Sequence, residues 1–213
     1  MSKEEVILVV LNEFADWEGA FIAPALNAGT RPGRPIKYKV KTLSLTKAPV
    51  VSIGGITLLP DYDLQTMPAD YAGIILVGGT QWFTPEAQQL VPLVETAIKG
   101  KKIVGAICNA SVFLGINGFL NNVKHTSNTL EYLKEFAGTT YWGAEHYINE
   151  QAVRDNNIVT ANGTGYLEFC KEVLFALDAD SADKIEEYYS FNKLGLCETL
   201  KQHKNLETQQ ATT

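Results

Sequence analysis

The stretch KKIVGAICNASVFLGINGFL, residues 101–120, decides the fold. Its first half, KIVGAIC, is an apolar run rich in β-branched residues, and its second half carries Phe113 and Leu114 at helical spacing. A strand that is apolar without alternation is buried on both faces, which places it inside a parallel sheet. Cys108 stands at the junction, with Ala106 and Ala110 two places to either side. Small neighbours permit a tight strand-to-helix turn that holds the side chain above the sheet edge, a nucleophile elbow with cysteine in place of serine. Backbone N–H groups and the positive helix end at such a turn favour the thiolate, the reactive form of cysteine. The same pattern also fits a buried cysteine that only fills space, since free cysteine is among the most buried residue types.

Outward from this unit, apolar runs alternate with helical patterns. Strands are predicted at residues 6–11, 38–45, 73–79, 102–108 and 157–162. A first helix, capped by Asp16, runs to Leu26 and stops at Gly29; a second opens at Thr84-Pro85-Glu86 and stops at Gly100. Further helices follow Cys108, span about 129–136, and follow Gly165 through Leu177. This order predicts an α/β fold, a three-layer sandwich with a mainly parallel central sheet and helices on both faces. Residues 50–64, alternating around Gly54-Gly55, read as a hairpin added to the main sheet. Residues 1–180 form the expected domain, 181–205 a helical appendage that packs on the core or on a partner subunit, and 206–213 a polar, disordered tail.

Composition narrows the function classes. With 213 residues one core is expected, and 18 Lys+Arg against 24 Asp+Glu give a net charge of −6, which disfavours a nucleic-acid partner. The apolar run near the N-terminus is six residues long, too short for a signal segment or a bilayer span, so a cytoplasmic protein with no membrane partner is expected. Three widely spaced cysteines, Cys108, Cys170 and Cys197, suit free thiols rather than a disulfide framework or a zinc site. No phosphate-binding glycine motif and no metal-ligand spacing is present, so neither a cofactor nor a metal is implied. The loop Arg31-Pro-Gly-Arg34-Pro is either a contact for an anionic group or a solvated connection.

Four motifs in order, DWEGA with Glu18, LVGGT, AICNA and VTANGTGYLEF, resemble the ThiJ/PfpI superfamily over residues 5–178. The resemblance implies a flavodoxin-like fold akin to the class I glutamine amidotransferases, a homodimer, and a reactive Cys108 paired with Glu18. A carboxyl packed against a thiolate is pushed toward its protonated form; the plainer reading of Glu18 is a solvated residue in a first helical turn. On the same resemblance the N–H groups of Gly79 and Asn109 are the expected oxyanion donors. His125 matches a histidine that members of the superfamily bring to the cysteine, and His146 is the second candidate for a base. Gly78, His146 and Thr164 complete the expected cleft.

The chain departs from the protease-like members by placing Asn109 directly after the cysteine, where they place histidine. It also lacks the later His and acidic pair of the glutaminases in VTANGTGYLEF. The function the resemblance implies is therefore a cysteine-dependent hydrolase or lyase acting on a small carbonyl or amide substrate, of glyoxalase, deglycase or amidase type, with a stress-response role. The alternatives are a redox sensor working through oxidation of Cys108, and an intracellular cysteine peptidase.

Overall fold

The computed structural model describes residues 3–33 and 36–202. Arg34, His203 and the tail expected at 206–213 lie outside the described residues. In chain order the elements are β1 (Glu4–Val9), α1 (Asp16–Ala28), β2 (Tyr38–Leu43), β3 (Val50–Val51), β4 (Thr57–Leu58), β5 (Gly73–Leu76), α2 (Val91–Lys99), β6 (Ile103–Ile107), α3 (Asn109–Ile116), α4 (Leu130–Ala137), β7 (Ala152–Asp155), β8 (Ile158–Ala161), α5 (Tyr166–Ala176) and α6 (Ala182–Leu194). Six strands form one sheet in the order β2-β1-β5-β6-β8-β7, all parallel except the β7–β8 pair.

The apolar runs conceal a period of two that the sheet resolves. Val6, Leu8, Ile75, Val77, Ile107 and Val159 point to one face, where they meet Ile22 and Leu26 of α1 and Phe169, Val173 and Leu174 of α5. Ile7, Val9, Ile74, Leu76, Val104 and Ala106 point to the other, against Val94 of α2, Phe113 and Leu114 of α3, and Leu133 of α4. Each large aliphatic side chain removed from water contributes about 1.5–3 kcal/mol, which is why runs buried on both faces dominate this fold. Helix α6 packs on the core: Ile185 is buried, Tyr188 lies 5.8 Å from the Phe21 ring, and Tyr189 and Lys193 both reach Glu168.

Four expectations are corrected. The hairpin forms as β3 and β4, but as a separate two-stranded sheet; it joins the body through Glu13 N–H to Val51 O and Ile53 N–H to Phe14 O. Asp16 does not cap α1: Ala15 holds that place, and the Asp16 carboxylate instead accepts from the Gly54 N–H at 2.8 Å, clamping the hairpin to the helix. The helix expected from Thr84 is two pieces, a 3-10 segment over Pro85–Leu90 and then α2. Pro92 stands in the first turn of α2, where its missing N–H would have no intrahelical partner. Strand β7 was not expected; Ala152–Asp155 is short and half polar, and it pairs back on β8 through Asn156 and Asn157, with Asn156 at φ +52°.

Among the described residues no helix is long and apolar enough to cross a membrane. Arg31 of the basic loop pairs with Glu187 of α6.

One position reports the sheet-to-helix packing directly. A Cβ on Gly105 would sit 2.8 Å from Ile75 Cδ1 and 2.9 Å from Phe169 Cζ, so Gly105 lets α5 approach β6. Gly105→Val is expected to lower stability by about 1–3 kcal/mol through overpacking. A urea titration should show a lower midpoint at unchanged slope.

Candidate functional site

The β6 ladder runs one residue past the strand, with the Cys108 N–H donating to the Ala161 carbonyl at 3.0 Å. The backbone then turns sharply into α3, which sets Cys108 at φ 57°, ψ −130°, a region that L-residues rarely enter. The elbow read from the sequence is thus present. It presents a thiol that is only partly buried.

Glu18, in the first turn of α1, is 1 % exposed, so the reading of a solvated residue falls away. Its Oε2 accepts from the Gly78 N–H at 2.8 Å, while Oε1 is buried with no hydrogen-bond donor aligned to it. Gly78 separates the two acids: a Cβ there would lie 2.2 Å from Glu18 Oε2 and 2.6 Å from Cys108 Cβ. Gly163 closes the site from the β8–α5 turn, where a Cβ would lie 3.0 Å from Cys108 Sγ and 3.3 Å from Glu18 Oε1. Trp17 Nε1 donates to the Gly163 carbonyl at 3.2 Å.

Burial governs the protons of both acids. It raises the Glu18 carboxyl to about 7, against the weaker opposing pull of the Cys108 sulfur and the Gly78 N–H. It raises the Cys108 thiol to about 11, reinforced by the charge of Glu18 and opposed by the Asn128 amide and the Asn109 N–H. The helix end at the elbow therefore does not make a resting thiolate. Desolvation and a neighbouring carboxylate outweigh it.

His125 is not brought to the thiol. The imidazole is fully buried, with Nδ1 2.7 Å from the Val123 carbonyl and Nε2 2.7 Å from the Tyr141 hydroxyl. A carbonyl only accepts, so Nδ1 carries the proton and Nε2 accepts from Tyr141. Burial also lowers the imidazole pKa, which keeps the ring neutral. His146 contacts Glu145 at 3.8 Å, and its carbonyl accepts from the His125 N–H. Thr164 turns into its own loop, donating to Asn162 Oδ1 at 2.7 Å.

From the segment after His125 it is Asn128 that reaches the sulfur, at 3.6 Å from Nδ2. Gly79 closes a different contact: a Cβ there would meet the Glu13 carbonyl at 2.4 Å, and φ is +154°. Its bridge to Phe14 uses the bonds Ala15 N–H to Gly78 O and Thr80 N–H to Glu13 O, neither of which engages the Gly79 N–H. The Gly79 carbonyl accepts from Asn109 Nδ2 at 2.9 Å. Neither Gly163 nor Asn128 is among the site residues expected from the sequence. The run Thr126-Ser127-Asn128-Thr129 ahead of a helix was the available signal, since Thr129 caps α4 by accepting from the Tyr132 N–H.

Among the described residues no group of three or more His, Cys, Asp or Glu side chains is placed to hold a metal ion. The arrangement instead offers a thiol, a buried carboxyl able to take or give one proton near neutrality, and amide donors beside the sulfur.

Known proteins share this architecture. The family model described as the DJ-1/PfpI family matches residues 4–176. Two proteins of Bacillus subtilis (strain 168), each named an uncharacterized protease, align over most of both lengths. YdeA is 35% identical over 193 residues, covering 90% of this chain and 92% of that protein. YoaZ is 34% identical over 195 residues, covering 91% and 92%. Among solved structures, a thiJ/pfpI family protein from Bacillus anthracis superposes with a TM-score of 0.85 at 34% identity, covering 96% of this chain and 97% of that one.

The buried carboxyl has a signature in stability. Glu18 holds its proton to about pH 7 when folded, against an ordinary value of 4.5. Below the ordinary value both states are protonated and folding bears no penalty; from there up to about pH 7 the unfolded chain ionises while the folded site keeps its proton, so stability falls with rising pH and levels off above about 7. Glu18→Gln never ionises. Its stability relative to wild type should improve by on the order of 1–3 kcal/mol between about pH 4 and about pH 8, read by urea titration at each pH. His125→Ala should behave differently, losing about 1–3 kcal/mol of stability through its broken buried hydrogen bonds while leaving the alkylation rate of Cys108 unchanged.

Proposed function

The chain belongs to the DJ-1/PfpI family, and from that premise we propose that it is a cysteine-dependent enzyme acting on small carbonyl compounds, with Cys108 as nucleophile and Glu18 as proton carrier. The observation that carries this reading is a partly buried thiol beside a buried carboxyl, with both nitrogens of His125 engaged elsewhere. General base catalysis works best with a group whose pKa lies near the working pH, and Glu18 at about 7 meets that condition.

With a 2-oxoaldehyde as substrate the steps balance without any further reactant except water. The Glu18 carboxylate takes the thiol proton, and the sulfur bonds the aldehyde carbon while the carbonyl electron pair moves onto oxygen. Burial holds the thiol above its ordinary value, so this proton transfer is uphill. Protonated Glu18 then returns the proton to that oxygen, leaving a hemithioacetal. Glu18 next removes the C–H proton of the former aldehyde carbon, and the electrons pass through an enediol to the neighbouring carbon, which is protonated in turn. The product is a thioester of a 2-hydroxy acid. Water cleaves it, releasing the acid and restoring the thiol, so one carbon is oxidised and its neighbour reduced.

Peptide hydrolysis makes a heavier demand, because a poor amine leaving group must be protonated by an acid free to move. His125 is locked by Val123 and Tyr141, so Glu18 would serve as both base and acid. The names of the Bacillus subtilis relatives keep peptides and amides among the substrates to assay. A redox reading is favoured by one atom, Glu18 Oε1, which is buried without an aligned donor; a protonated Glu18 would donate to an oxygen of a Cys108 sulfinate.

Steady-state assays of wild type, Cys108→Ser and Glu18→Gln against methylglyoxal, glycated thiols, amides and peptides decide among these. Turnover of methylglyoxal is expected in wild type, absent in Cys108→Ser, and reduced about 100-fold or more in Glu18→Gln. Persistence of turnover in Cys108→Ser would overturn the reading. Absence of turnover on every substrate, together with a gain of two oxygens on Cys108 under mild peroxide, would transfer the case to the sensor.

A further inference from the structure

Asn128 spends every hydrogen-bonding atom of its amide inside the site. Nδ2 donates to Cys108 Sγ at 3.6 Å and to Asn109 Oδ1 at 3.2 Å, and Oδ1 accepts from the Gly163 N–H at 3.0 Å. This orientation is forced. A flipped amide would set NH₂ against the Gly163 N–H and oxygen against both the sulfur and Asn109 Oδ1. Asn109 cannot yield by flipping either, because its own Nδ2 donates to the Gly79 carbonyl at 2.9 Å.

The backbone bearing Asn128 is equally constrained. Ser127 Oγ lies 2.8 Å from Ser111 Oγ of α3, the Thr126 N–H donates to Thr160 Oγ1 at 2.8 Å, and Thr129 caps α4. Thr126 and Ser127 are each 1 % exposed. A donor fixed this firmly needs no reorganisation when charge develops beside it, which is the condition for electrostatic stabilisation of a reacting group.

We propose that Asn128 is a catalytic residue, the donor that stabilises the Cys108 sulfur as its proton leaves for Glu18 and as it bonds the substrate carbonyl carbon. The assignment rests on the reading of Cys108 as a carbonyl-directed nucleophile. It differs from an imidazole in one respect: an amide has no proton to lose across the working pH range, so its donation is constant and the site's pH response belongs to Glu18 and the thiol alone.

The test is the alkylation of Cys108 by iodoacetamide, followed by intact mass between about pH 6 and about pH 10. A Cys197→Ser background removes the exposed second thiol; Cys170 is buried. Asn128→Ala removes the whole amide. Asn128→Asp keeps an oxygen to accept the Gly163 N–H but has no donor for the sulfur. Both variants are expected to alkylate about tenfold or more slowly than the background at each pH. Rates that superimpose on the background would overturn the proposal. So would a slow Asn128→Ala beside an unaltered Asn128→Asp, which would reduce Asn128 to a tether for Gly163. In turnover of methylglyoxal both variants should lose about 10- to 100-fold in kcat with little change in KM. Should wild type turn over no carbonyl substrate, the reading of the reaction fails, while the alkylation series still decides whether Asn128 serves the sulfur.

Discussion

Two weak acids share one small, water-poor space, and the rest of the site is arranged around that constraint. Neither the Glu18 carboxyl nor the Cys108 thiol ionises at its ordinary value, because burial penalises both anions and the Glu18 charge further penalises the thiolate. The pair therefore holds at least one proton through neutrality. Gly78 makes the proximity possible, since any side chain at that position would occupy the gap between them. The same residue's N–H engages Oε2, and Oε1 is left buried without an aligned donor.

The sheet order explains how the parts meet. Glu18 follows β1, Gly78 follows β5, Cys108 follows β6, and Gly163 follows β8, and these are four consecutive strands of the sheet. Residues that stand 60 positions apart in the chain, such as Glu18 and Gly78, become neighbours because parallel strands deliver their carboxyl ends to one edge. Asn128 arrives by another route, on a strandless segment between α3 and α4 held by side-chain hydroxyls.

That difference of route governs what could be read from the amino-acid sequence. The five parallel strands and the elbow at Cys108 follow from apolar runs and small-residue punctuation, which are local signals; the partnership with Glu18 comes from the resemblance of the DWEGA motif. The break ahead of Pro92 could not be read from the proline alone, since Pro24 sits inside α1 without ending it. The fate of His125 was not local. Its occupancy depends on Tyr141, 16 residues away, and its displacement by Asn128 depends on how a buried polar run threads between α3 and β8. Hydrogen bonds among side chains carry no periodicity, so a pattern search is blind to them. The thiol's raised pKa was missed for a related reason: the helix end is visible in sequence, whereas the depth of burial that overrules it is a property of the packed whole.

The backbone at Cys108, φ 57° and ψ −130°, sets folding and chemistry against each other at a single residue. Such a conformation costs on the order of 1–3 kcal/mol for a residue with a side chain, and glycine would adopt it without that cost. If this position were chosen for stability alone, the cysteine would be exchanged for glycine and the protein would gain by the exchange. Its presence there is a standing cost to the fold that the proposed role of the sulfur would account for.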